Sequence, residues 1–249
     1  GDLSELAGER MIDVEDIDPA EAKTIKFVEA MAAVQLRAME RDERVIIMGE
    51  DVHHLNGGTV GGTKGIVERF PDRLLGTPIA ENGFTGMGLG AAINGLRPII
   101  EIMYADFCLV AADQLFNQIA KVRHMFGGTS TVPLIVRIRA AGGHGYGSQH
   151  SMDPSGLFAL WPGWRVIVPT TPFDYIGLFN SAINCDDPVV IIETQTLFQE
   201  EGQVPANDLD YCIPFGKARI VRPGSACTIL ASGHMAQHSI AAAEQCGID

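Results

Sequence analysis

One carboxylate, Glu81, lies after a predicted strand, at a position where parallel-sheet proteins often have catalytic residues. It follows Thr77-Pro78-Ile79-Ala80, at the end of an apolar strand-like run, and it precedes a stretch rich in Gly and Ala. A carboxyl group held between a strand end and a tightly packed helix loses hydration, so its pKa can rise enough for it to share a proton with a ligand nitrogen. Sequence spacing alone is also compatible with the alternative that Glu81 is a solvated residue on a loop. Glu81 is the best catalytic candidate of the sequence.

A second acidic site follows an earlier apolar run. Glu50 and Asp51 come directly after residues 45–49, whose composition predicts a buried strand. Acids at the carboxyl edge of a parallel sheet are well placed for catalysis, whereas turn chemistry or a helix N-cap explains this pair equally well. The sequence leaves both alternatives open.

Histidines occur at two places where they could take part in a site. His144 and His150 lie on a glycine-rich segment after a predicted strand, where α/β proteins build sites, although each has a structural alternative. His150 and Ser151 are disfavoured as a hydrolase pair because adjacent side chains rarely face each other, and no GxSxG sequence occurs. His234 and His238 have helical ligand spacing but no third ligand, which favours surface or packing histidines.

The glycines that follow Glu81 resemble a nucleotide-binding sequence. Residues 86–91, Gly-Met-Gly-Leu-Gly-Ala, match the GxGxxA fingerprint, and Asp106 lies at the expected distance. The fingerprint requires a strand that runs directly into the turn, but polar Glu81 and Asn82 intervene. The same glycines remove side chains from one helix face and allow another backbone to approach closely, including one across a subunit interface. We therefore favour helix packing over dinucleotide binding.

The composition is that of an acidic globular protein, with 46% hydrophobic residues, 20% charged residues and a formal net charge of -13. This charge disfavours nucleic acid or an anionic membrane as the main partner, because both would repel the surface. No apolar run approaches the roughly 18 residues of a membrane span. The five cysteines are odd in number and form no CxxC pair. We expect a cytoplasmic protein, or a mitochondrial matrix protein if the source is eukaryotic.

Helices and strands are predicted to alternate along most of the chain. A helix should begin at the capping sequence Asp18-Pro19-Ala20-Glu21 and end near Arg41, and another should open at Thr171 and Pro172. Such alternation predicts an α/β fold with a doubly wound, mostly parallel sheet. The other predicted elements are strands at 45–49, 98–103, 132–136, 166–168 and 189–192, loops at 56–64 and 142–147, a small-residue helix at about 84–94 and a helix to about 125.

The chain is predicted to divide into four segments. Residues 1–17 form an acidic N-terminal tail, 18–200 the α/β domain, 201–215 a linker, and 216–249 the start of a second α/β domain. The linker assignment depends on polar, irregular composition with two prolines. Strands at 217–221 and 228–231 and a helix from about Met235 are predicted for the last segment.

Six short motifs occur in the order and spacing of a known family. They are Gly49-Glu50-Asp51-Val52, Thr77-Pro78-Ile79-Ala80-Glu81, Gly95-Leu96-Arg97-Pro98-Ile99, Ala112-Asp113-Gln114, Gln149-His150-Ser151 and Gly216-Lys217-Ala218. From about residue 24 to its end, the chain therefore resembles the beta subunit of thiamine-diphosphate-dependent 2-oxo acid dehydrogenases of the pyruvate, branched-chain and acetoin type. The resemblance implies a transketolase-like pyrimidine-binding domain over 18–200 and a truncated C-terminal transketolase-like domain over 216–249.

The resemblance also implies roles for four residues. Glu81 matches the glutamate that hydrogen-bonds N1′ of the cofactor's aminopyrimidine and favours the 4′-imino tautomer, whose nitrogen removes the thiazolium C2 proton. Phe107 matches the aromatic residue that stacks on the pyrimidine. His150 matches the histidine that assists with substrate or with transfer to the lipoyl group. Glu50 aligns with an acid in a proton path between two active sites.

The resemblance implies that the site is shared with another chain. No GDG sequence occurs in these 249 residues, although the family uses GDG and a later Asn to hold Mg²⁺ and the diphosphate. An alpha subunit or a fused alpha segment should supply that half, with beta-beta contact in an alpha2beta2 assembly and a lipoyl acyltransferase as further partner. No metal ligand is assigned to this chain. Potassium binding near 130–132 and 182–187 is doubtful because Cys185 replaces a common ligand Asp.

The expected reaction is decarboxylation of a 2-oxo acid on thiamine diphosphate and transfer of the acyl group to lipoamide, with activity only in the presence of an alpha partner. Departures from the family at Met152-Asp153 and Tyr104-Ala105 leave pyruvate, branched-chain 2-oxo acids and acetoin open as substrates. The alternatives are a transketolase-like ketol transferase, a non-catalytic assembly subunit with the same fold, and an NAD-binding dehydrogenase based on the glycine fingerprint.

Overall fold

Strands and helices alternate between residues 22 and 205, and one further helix lies near the C-terminus. The structure is a computed structural model that describes residues 3–12 and 17–248. The strands are β1 (Ala22–Lys26), β2 (Val45–Glu50), β3 (Leu74–Thr77), β4 (Arg97–Ile102), β5 (Ile135–Ala140), β6 (Arg165–Ile167), β7 (Val189–Thr194) and β8 (Glu201–Pro205). The helices are α1 (Phe27–Arg41), α2 (Glu81–Ile93), α3 (Val122–Met125), α4 (Ser155–Ala159), α5 (Pro172–Asn184) and α6 (His234–Cys246).

Six strands form one parallel sheet in the order β3-β2-β4-β5-β7-β6. From β2 the chain moves to one side to form β3 and then to the other side to form β4, so the winding direction reverses beside β2. Sheets of this kind open a crevice at the carboxyl ends of the strands where the direction reverses. The predicted α/β fold with a doubly wound sheet is confirmed.

Both faces of the sheet are covered, and the alternation of side chains along each strand divides the core into two layers. α1 and α5 cover one face, while α2, α4 and the segment 105–125 cover the other. Strands buried on both faces need apolar residues at nearly every position, which explains the continuous apolar runs in the sequence. The first layer takes Ile47, Ile99, Ile135, Val189 and Ile191, and the second takes Met48, Ile100, Val136, Val190 and Ile192.

The helix predicted from Asp18 begins only at Phe27. The Asp18 carboxylate caps a single 3₁₀ turn by accepting a hydrogen bond from Ala20 N at 2.9 Å, and the chain then extends into β1. α1 has its own cap, in which Lys26 N donates to the Glu29 carboxylate at 2.8 Å. The predicted first turns are replaced by β1 because this segment pairs antiparallel with the distant β8, a contact that no local pattern reveals.

The predicted linker is wrong over residues 201–205, which form β8 and pair with β1. Farther along the same segment, Tyr211 and Cys212 are fully buried. The Tyr211 hydroxyl donates to Phe173 O at 2.9 Å and so attaches the segment to α5. Residues 201–212 therefore pack against β1 and α5 and are not a free connection.

The segment after residue 215 is mostly irregular. The strands predicted at 217–221 and 228–231 do not form, whereas the helix predicted from about Met235 is α6. The division into two domains stays a prediction. Over the described residues, no helix combines the length and the apolar character that crossing a membrane would require.

The single helix predicted up to about residue 125 is divided into a 3₁₀ turn, the π-helical segment 113–119 and the short α3. Within the π-helical segment, Leu115 O accepts a hydrogen bond from the Trp164 indole N–H at 3.1 Å. The same carbonyl also accepts from Ala120 N at 3.3 Å, the five-residue spacing of a π-helix, so the indole and the wider helical turn share one acceptor. The following strand also starts later than predicted, at Ile135, because Val132 and Leu134 join the core outside the β5 ladder.

A buried ion network joins three strands and two helices on the α1 and α5 side of the sheet. Arg137 on β5 is 1% exposed, and its guanidinium binds both carboxylate oxygens of Glu193 at 2.7 and 3.0 Å. It also donates to Glu101 at 2.8 Å and to Gln35 Oε1 at 3.0 Å. The Tyr175 hydroxyl donates to Glu193 at 2.5 Å. The network fixes β4, β5 and β7 to α1 and α5 through directional contacts.

α2 lies close to the sheet because glycine faces it. A methyl group at Gly88 would come within 2.4 Å of Ile100 Cδ1 on β4 and 3.5 Å of Met48 Sδ on β2. A methyl group at Gly86 would meet the Gln114 side chain at 2.9 Å, whereas one at Gly90 would meet nothing within 4 Å. Gly86 and Gly88 therefore serve helix packing, as the sequence predicted.

The first prediction compares two glycines of α2. Alanine at either position gains the same helix propensity, about 1 kcal/mol. Gly88→Ala must also displace buried Ile100, and such overpacking costs about 1–3 kcal/mol. The free energy of unfolding of Gly88→Ala, measured with urea, should therefore lie below that of Gly90→Ala by about 1–3 kcal/mol. Equal stabilities of the two variants would contradict the close approach of α2.

The second prediction concerns the buried network. Arg137→Met leaves the Glu193 and Glu101 carboxylates without their cation, which should lower the free energy of unfolding by about 3–5 kcal/mol. The matched control is Arg69→Met, since Arg69 is half exposed and pairs with Glu40 at the surface. That change should cost less than about 1 kcal/mol. Chemical denaturation of both variants measures the difference. Similar losses of unfolding free energy would show that the buried network stabilises the fold no more than a surface ion pair does.

Candidate active site

The predicted site residues follow four neighbouring strands. Glu50 ends β2, Glu81 follows β3, Phe107 follows β4 and His150 follows β5. These strands are adjacent in the order β3-β2-β4-β5, and parallel neighbours lie about 4.8 Å apart. Because all four chains leave the sheet at the same edge, the fold brings to one crevice residues that are up to a hundred positions apart in sequence.

Glu81 is the first residue of α2 and is 5% exposed. The alternative of a solvated loop glutamate is therefore wrong. A helix N-terminus carries unpaired N–H groups and a partial positive charge, which stabilise negative charge on a first-turn carboxylate. The packing of Gly88 against β4 holds the start of α2 close to the sheet and keeps Glu81 in the buried crevice.

Glu50 lies opposite Thr77 in the β2 and β3 ladder and is 9% exposed. Burial raises the pKa of the Glu50 carboxyl to about 7, and the charge and contact of the nearby Glu81 carboxyl and the charge of Asp51 act in the same direction. Asp51, with a φ of 53°, takes the turn role that the sequence left open, since its carbonyl accepts from His54 N at 2.9 Å. The two acids of this pair therefore differ in environment, since Glu50 is buried and Asp51 lies exposed in a turn.

Buried polar atoms without partners surround the two glutamates. Among the described residues, Glu50 Oε1, Thr77 Oγ1 and Thr85 Oγ1 have no hydrogen-bond partner. Thr85 lies one helical turn after Glu81 and is fully buried. A buried hydroxyl or carboxylate without a partner costs about 1–3 kcal/mol. Such a set fits a flat heterocycle with hydrogen-bonding groups along one edge, as an aminopyrimidine ring has.

Aromatic side chains form a cluster after β4 and β5, at the same edge of the sheet. The Phe107 ring is half-buried and meets the His150 ring edge to face, with 5.3 Å between centroids. Tyr104 contacts both rings, at 5.9 Å from Phe107 and 4.5 Å from His150, and it also contacts Tyr146 at 5.7 Å. The structure thus brings Phe107 and His150 together, as their predicted roles require, while those roles stay predictions.

The remaining candidates do not join this site. The GxGxxA glycines lie inside α2 rather than at a turn between strand and helix, so the fingerprint is wrong. Asp106 accepts a hydrogen bond from Met152 N at 3.1 Å. His144 is exposed and stacks on Tyr146 at 5.8 Å. Ser151 donates to Gly147 O at 2.8 Å, which leaves no hydrolase pair with its neighbour His150.

The histidines of α6 and the carbonyl groups near residues 182–187 have other contacts. His234 and His238 form a ring pair with centroids 5.6 Å apart on α6. Over the described ranges, no group of three His, Cys, Asp or Glu residues has the geometry of a metal site. Arg97 donates to the carbonyls of Ile183 at 2.8 Å and Cys185 at 3.1 Å, so a fixed positive charge already lies on these oxygens. Potassium binding stays a doubtful prediction.

Sequence reasoning missed two groups of this crevice. Thr85 carries no motif, and its only signal is the four-residue spacing from Glu81 on a helix that starts at Glu81. Arg139 was not selected because a single Arg in an apolar strand has no pattern. Its guanidinium lies 3.9 Å from the centroid of the Tyr104 ring, directly beneath the aromatic residues.

Comparison with known proteins agrees with this geometry. Residues 23–200 match the family described as "Transketolase, pyrimidine binding domain". The chain is 42% identical over 214 residues to the acetoin:2,6-dichlorophenolindophenol oxidoreductase subunit beta of Cupriavidus necator, covering 82% of this chain and 63% of the relative. It is 40% identical over 205 residues to the pyruvate dehydrogenase E1 component subunit beta of Staurastrum punctulatum, covering 82% and 62%. The chain thus spans less than two thirds of both relatives.

A solved structure shows the same fold at lower identity. A split-gene transketolase, described as an inactive beta4 tetramer, superposes with a TM-score of 0.70 at 20% identity over 90% of this chain and 69% of that one. The chain belongs to the transketolase pyrimidine-binding domain family. Within that family its relatives are beta subunits of acetoin and pyruvate enzymes, which confirms the resemblance found in the sequence.

The third prediction follows from the raised pKa of Glu50. Folded Glu50 titrates near pH 7 and an unperturbed Glu near 4.5, so the folded state binds more protons between these values. The Glu50 contribution to the free energy of unfolding should therefore decrease as the pH rises from 4.5 to 7. Glu50→Gln should remove this decrease, which urea unfolding across the pH range measures.

The control for this experiment is Glu43→Gln, the same change at an exposed position. Its stability should follow the wild-type pH curve. Glu81→Gln should reduce the slope without abolishing it, because burial is a larger cause of the Glu50 pKa than the Glu81 charge. A Glu50→Gln curve parallel to the wild type would disprove the raised pKa.

Proposed function

We propose that the chain is the beta-type part of a 2-oxo acid dehydrogenase, which decarboxylates a 2-oxo acid on thiamine diphosphate and transfers the acyl group to lipoamide. The observation that carries the proposal is the buried pair of Glu50 and Glu81 at the strand edge, beside threonine hydroxyls that have no partner among the described residues. The names of the beta-subunit relatives support the reaction class.

Each residue of the crevice has a proposed task. When bound, thiamine diphosphate supplies the nucleophilic carbon that attacks the keto group. Glu81 holds the proton at N1′ of the aminopyrimidine ring, because it is buried at a helix N-terminus and interacts with the Glu50 carboxyl. Phe107 offers a flat apolar face that orients the ring. His150 lies beside Phe107 and binds the substrate or assists acyl transfer.

Glu50 is proposed to exchange protons with Glu81. A carboxyl group with a pKa of about 7 is partly protonated at neutral pH and can both give and take a proton. Burial of two acids close together makes single protonation of the pair favourable, since two negative charges there would repel each other. The pair could therefore exchange a proton with the N1′ nitrogen of a bound aminopyrimidine.

The other half of the site is proposed to come from an alpha partner. The chain has no GDG sequence to hold Mg²⁺ and the cofactor diphosphate, and both named relatives are beta subunits. We therefore infer an alpha2beta2 assembly with beta-beta contact and a lipoyl acyltransferase as a further partner. Pyruvate, a branched-chain 2-oxo acid and acetoin all remain candidate substrates, and turnover assays of the assembled enzyme with each decide among them.

A transketolase-like ketol transferase is the second candidate, because the fold superposes on a split-gene transketolase. This enzyme would need no lipoyl partner. Turnover that depends on lipoamide supports the dehydrogenase, whereas turnover that depends on an aldose acceptor supports the ketol transferase. A non-catalytic assembly subunit would show neither activity and would tolerate changes at Glu81.

The fourth prediction tests the catalytic role of Glu81. In the complex reconstituted with its alpha partner, Glu81→Gln should lower turnover by about 10²–10⁴-fold, the range that a lost acid-base group produces. Thiamine diphosphate should still bind, because glutamine retains the shape and an amide for hydrogen bonding. Steady-state kinetics and calorimetry measure the two effects separately. Glu43→Gln at the surface is the control, and unchanged turnover in Glu81→Gln would remove Glu81 from the mechanism.

A further inference from the structure

We propose that Arg139 and Tyr104 are positioning residues that fix the ring of His150, an inference that rests on the proposed function of this site. The Arg139 guanidinium lies 3.9 Å from the centroid of the Tyr104 ring. The Tyr104 ring in turn meets the His150 ring nearly at right angles, with 4.5 Å between centroids. A continuous line of contacts therefore runs from the sheet to the candidate histidine.

Arg139 is fixed at the base of this line. It lies on β5 opposite Glu193 of β7, and its side chain is 95% buried, being 5% exposed. Its Nε donates to Met103 O at 2.8 Å, one residue before Tyr104. The strand and this hydrogen bond thus determine where the planar guanidinium lies relative to the tyrosine ring. A cation over an aromatic face attracts the ring most strongly when water is excluded, as it is here.

The surroundings explain why a buried guanidinium is tolerated there. Arg139 lines a small cavity of about 10 Å³ together with Arg137, Glu101 and Glu193. The formal charges of these two arginines and two glutamates cancel. Arg139 Nη2 has no hydrogen-bond partner among the described residues. Nearby carboxylates offset the charge of Arg139, its Nε is bound by Met103 O, and its flat face contacts Tyr104.

Tyr104 also contacts the other aromatic residues of this cluster. Besides His150 it contacts Phe107 at 5.9 Å and Tyr146 at 5.7 Å, both nearly perpendicular. The loop that carries His150 is otherwise exposed and rich in glycine from residue 142 to 149. The backbone here is held by His150 N donating to Gly147 O at 3.3 Å and Met152 N donating to Asp106, while ring contacts orient the His150 side chain. Loss of the Tyr104 ring should therefore allow the His150 ring to move.

The experiment measures the reactivity of the His150 ring in the assembled protein. Diethylpyrocarbonate modifies accessible imidazoles, and peptide mass spectrometry gives the rate at each histidine. Tyr104→Leu and Arg139→Met should raise the His150 rate by about fivefold, the factor that one edge-to-face ring contact represents. Tyr104→Phe keeps the ring and should stay within about twofold of wild type. Exposed His124 on α3 serves as the internal reference and should not change.

The kinetic arm uses the same variants in the complex with the alpha partner. Tyr104→Leu should lower kcat by about tenfold, and Tyr104→Phe should restore it, because a misplaced group loses transition-state contacts. Arg69→Lys is the control, since Arg69 also faces an aromatic ring, Phe70 at 5.6 Å, but lies outside the site. Its kcat and His150 rate should equal those of wild type.

The two arms separate this inference from the proposed function. The reactivity of His150 requires neither cofactor nor substrate, so it tests the positioning even if the complex proves not to bind thiamine diphosphate. An unchanged His150 rate in Tyr104→Leu would overturn the inference. A rise that is equal in Tyr104→Leu and Tyr104→Phe, or that appears equally at His124, would also overturn it. If Arg139→Met does not fold, the Tyr104 pair decides alone.

Discussion

The structure depends on a buried pair of acids, Glu50 and Glu81, at the edge of a parallel sheet. Two carboxylates in a poorly hydrated place repel each other, so the pair is most stable when it holds one proton. Burial and the nearby Glu81 charge both raise the pKa of Glu50, and the N-terminus of α2 stabilises negative charge on Glu81. An acid pair that shares a proton near neutral pH is suited to exchanging protons with a ring nitrogen. The surrounding elements keep water away from this pair and fix its position.

Two features of the scaffold hold that arrangement. On one side, Gly88 lets α2 approach β4 closely, so that the helix presents Glu81 beside Glu50. On the other side, the network around Arg137 joins β4, β5 and β7 to α1 and α5 with directional bonds. Its neighbour Arg139 extends from the same strand toward Tyr104 and the aromatic residues. Arg137 and Arg139 are two residues apart on β5 and therefore lie on the same face of the sheet, Arg137 beneath the core helices and Arg139 beside Tyr104 nearer the carboxyl end of the strand.

Much of the fold was predictable, because parallel strands buried on both faces are continuous apolar runs and α5 begins with its own cap at Thr171. The errors occurred where a distant partner overrode local preference. The segment after Asp18 is a strand because it pairs with β8, and residues 201–205 are a strand for the same reason. The segment 113–119 is π-helical where the Trp164 indole and Ala120 N both donate to Leu115 O. Sequence motifs identified Glu50, Glu81, Phe107 and His150, but not Thr85 or Arg139.

The sequence by itself determined the family, the parallel α/β order and the four residues that carry the proposed chemistry, because motif spacing and apolar runs are local properties of a chain. Only the tertiary structure decided that Glu81 is buried rather than solvated, that Asp51 forms the turn while Glu50 faces the crevice, and that the glycines of α2 pack a helix instead of binding a nucleotide. Burial, pKa and ring contacts depend on residues from several strands, and these become neighbours only when the sheet has formed.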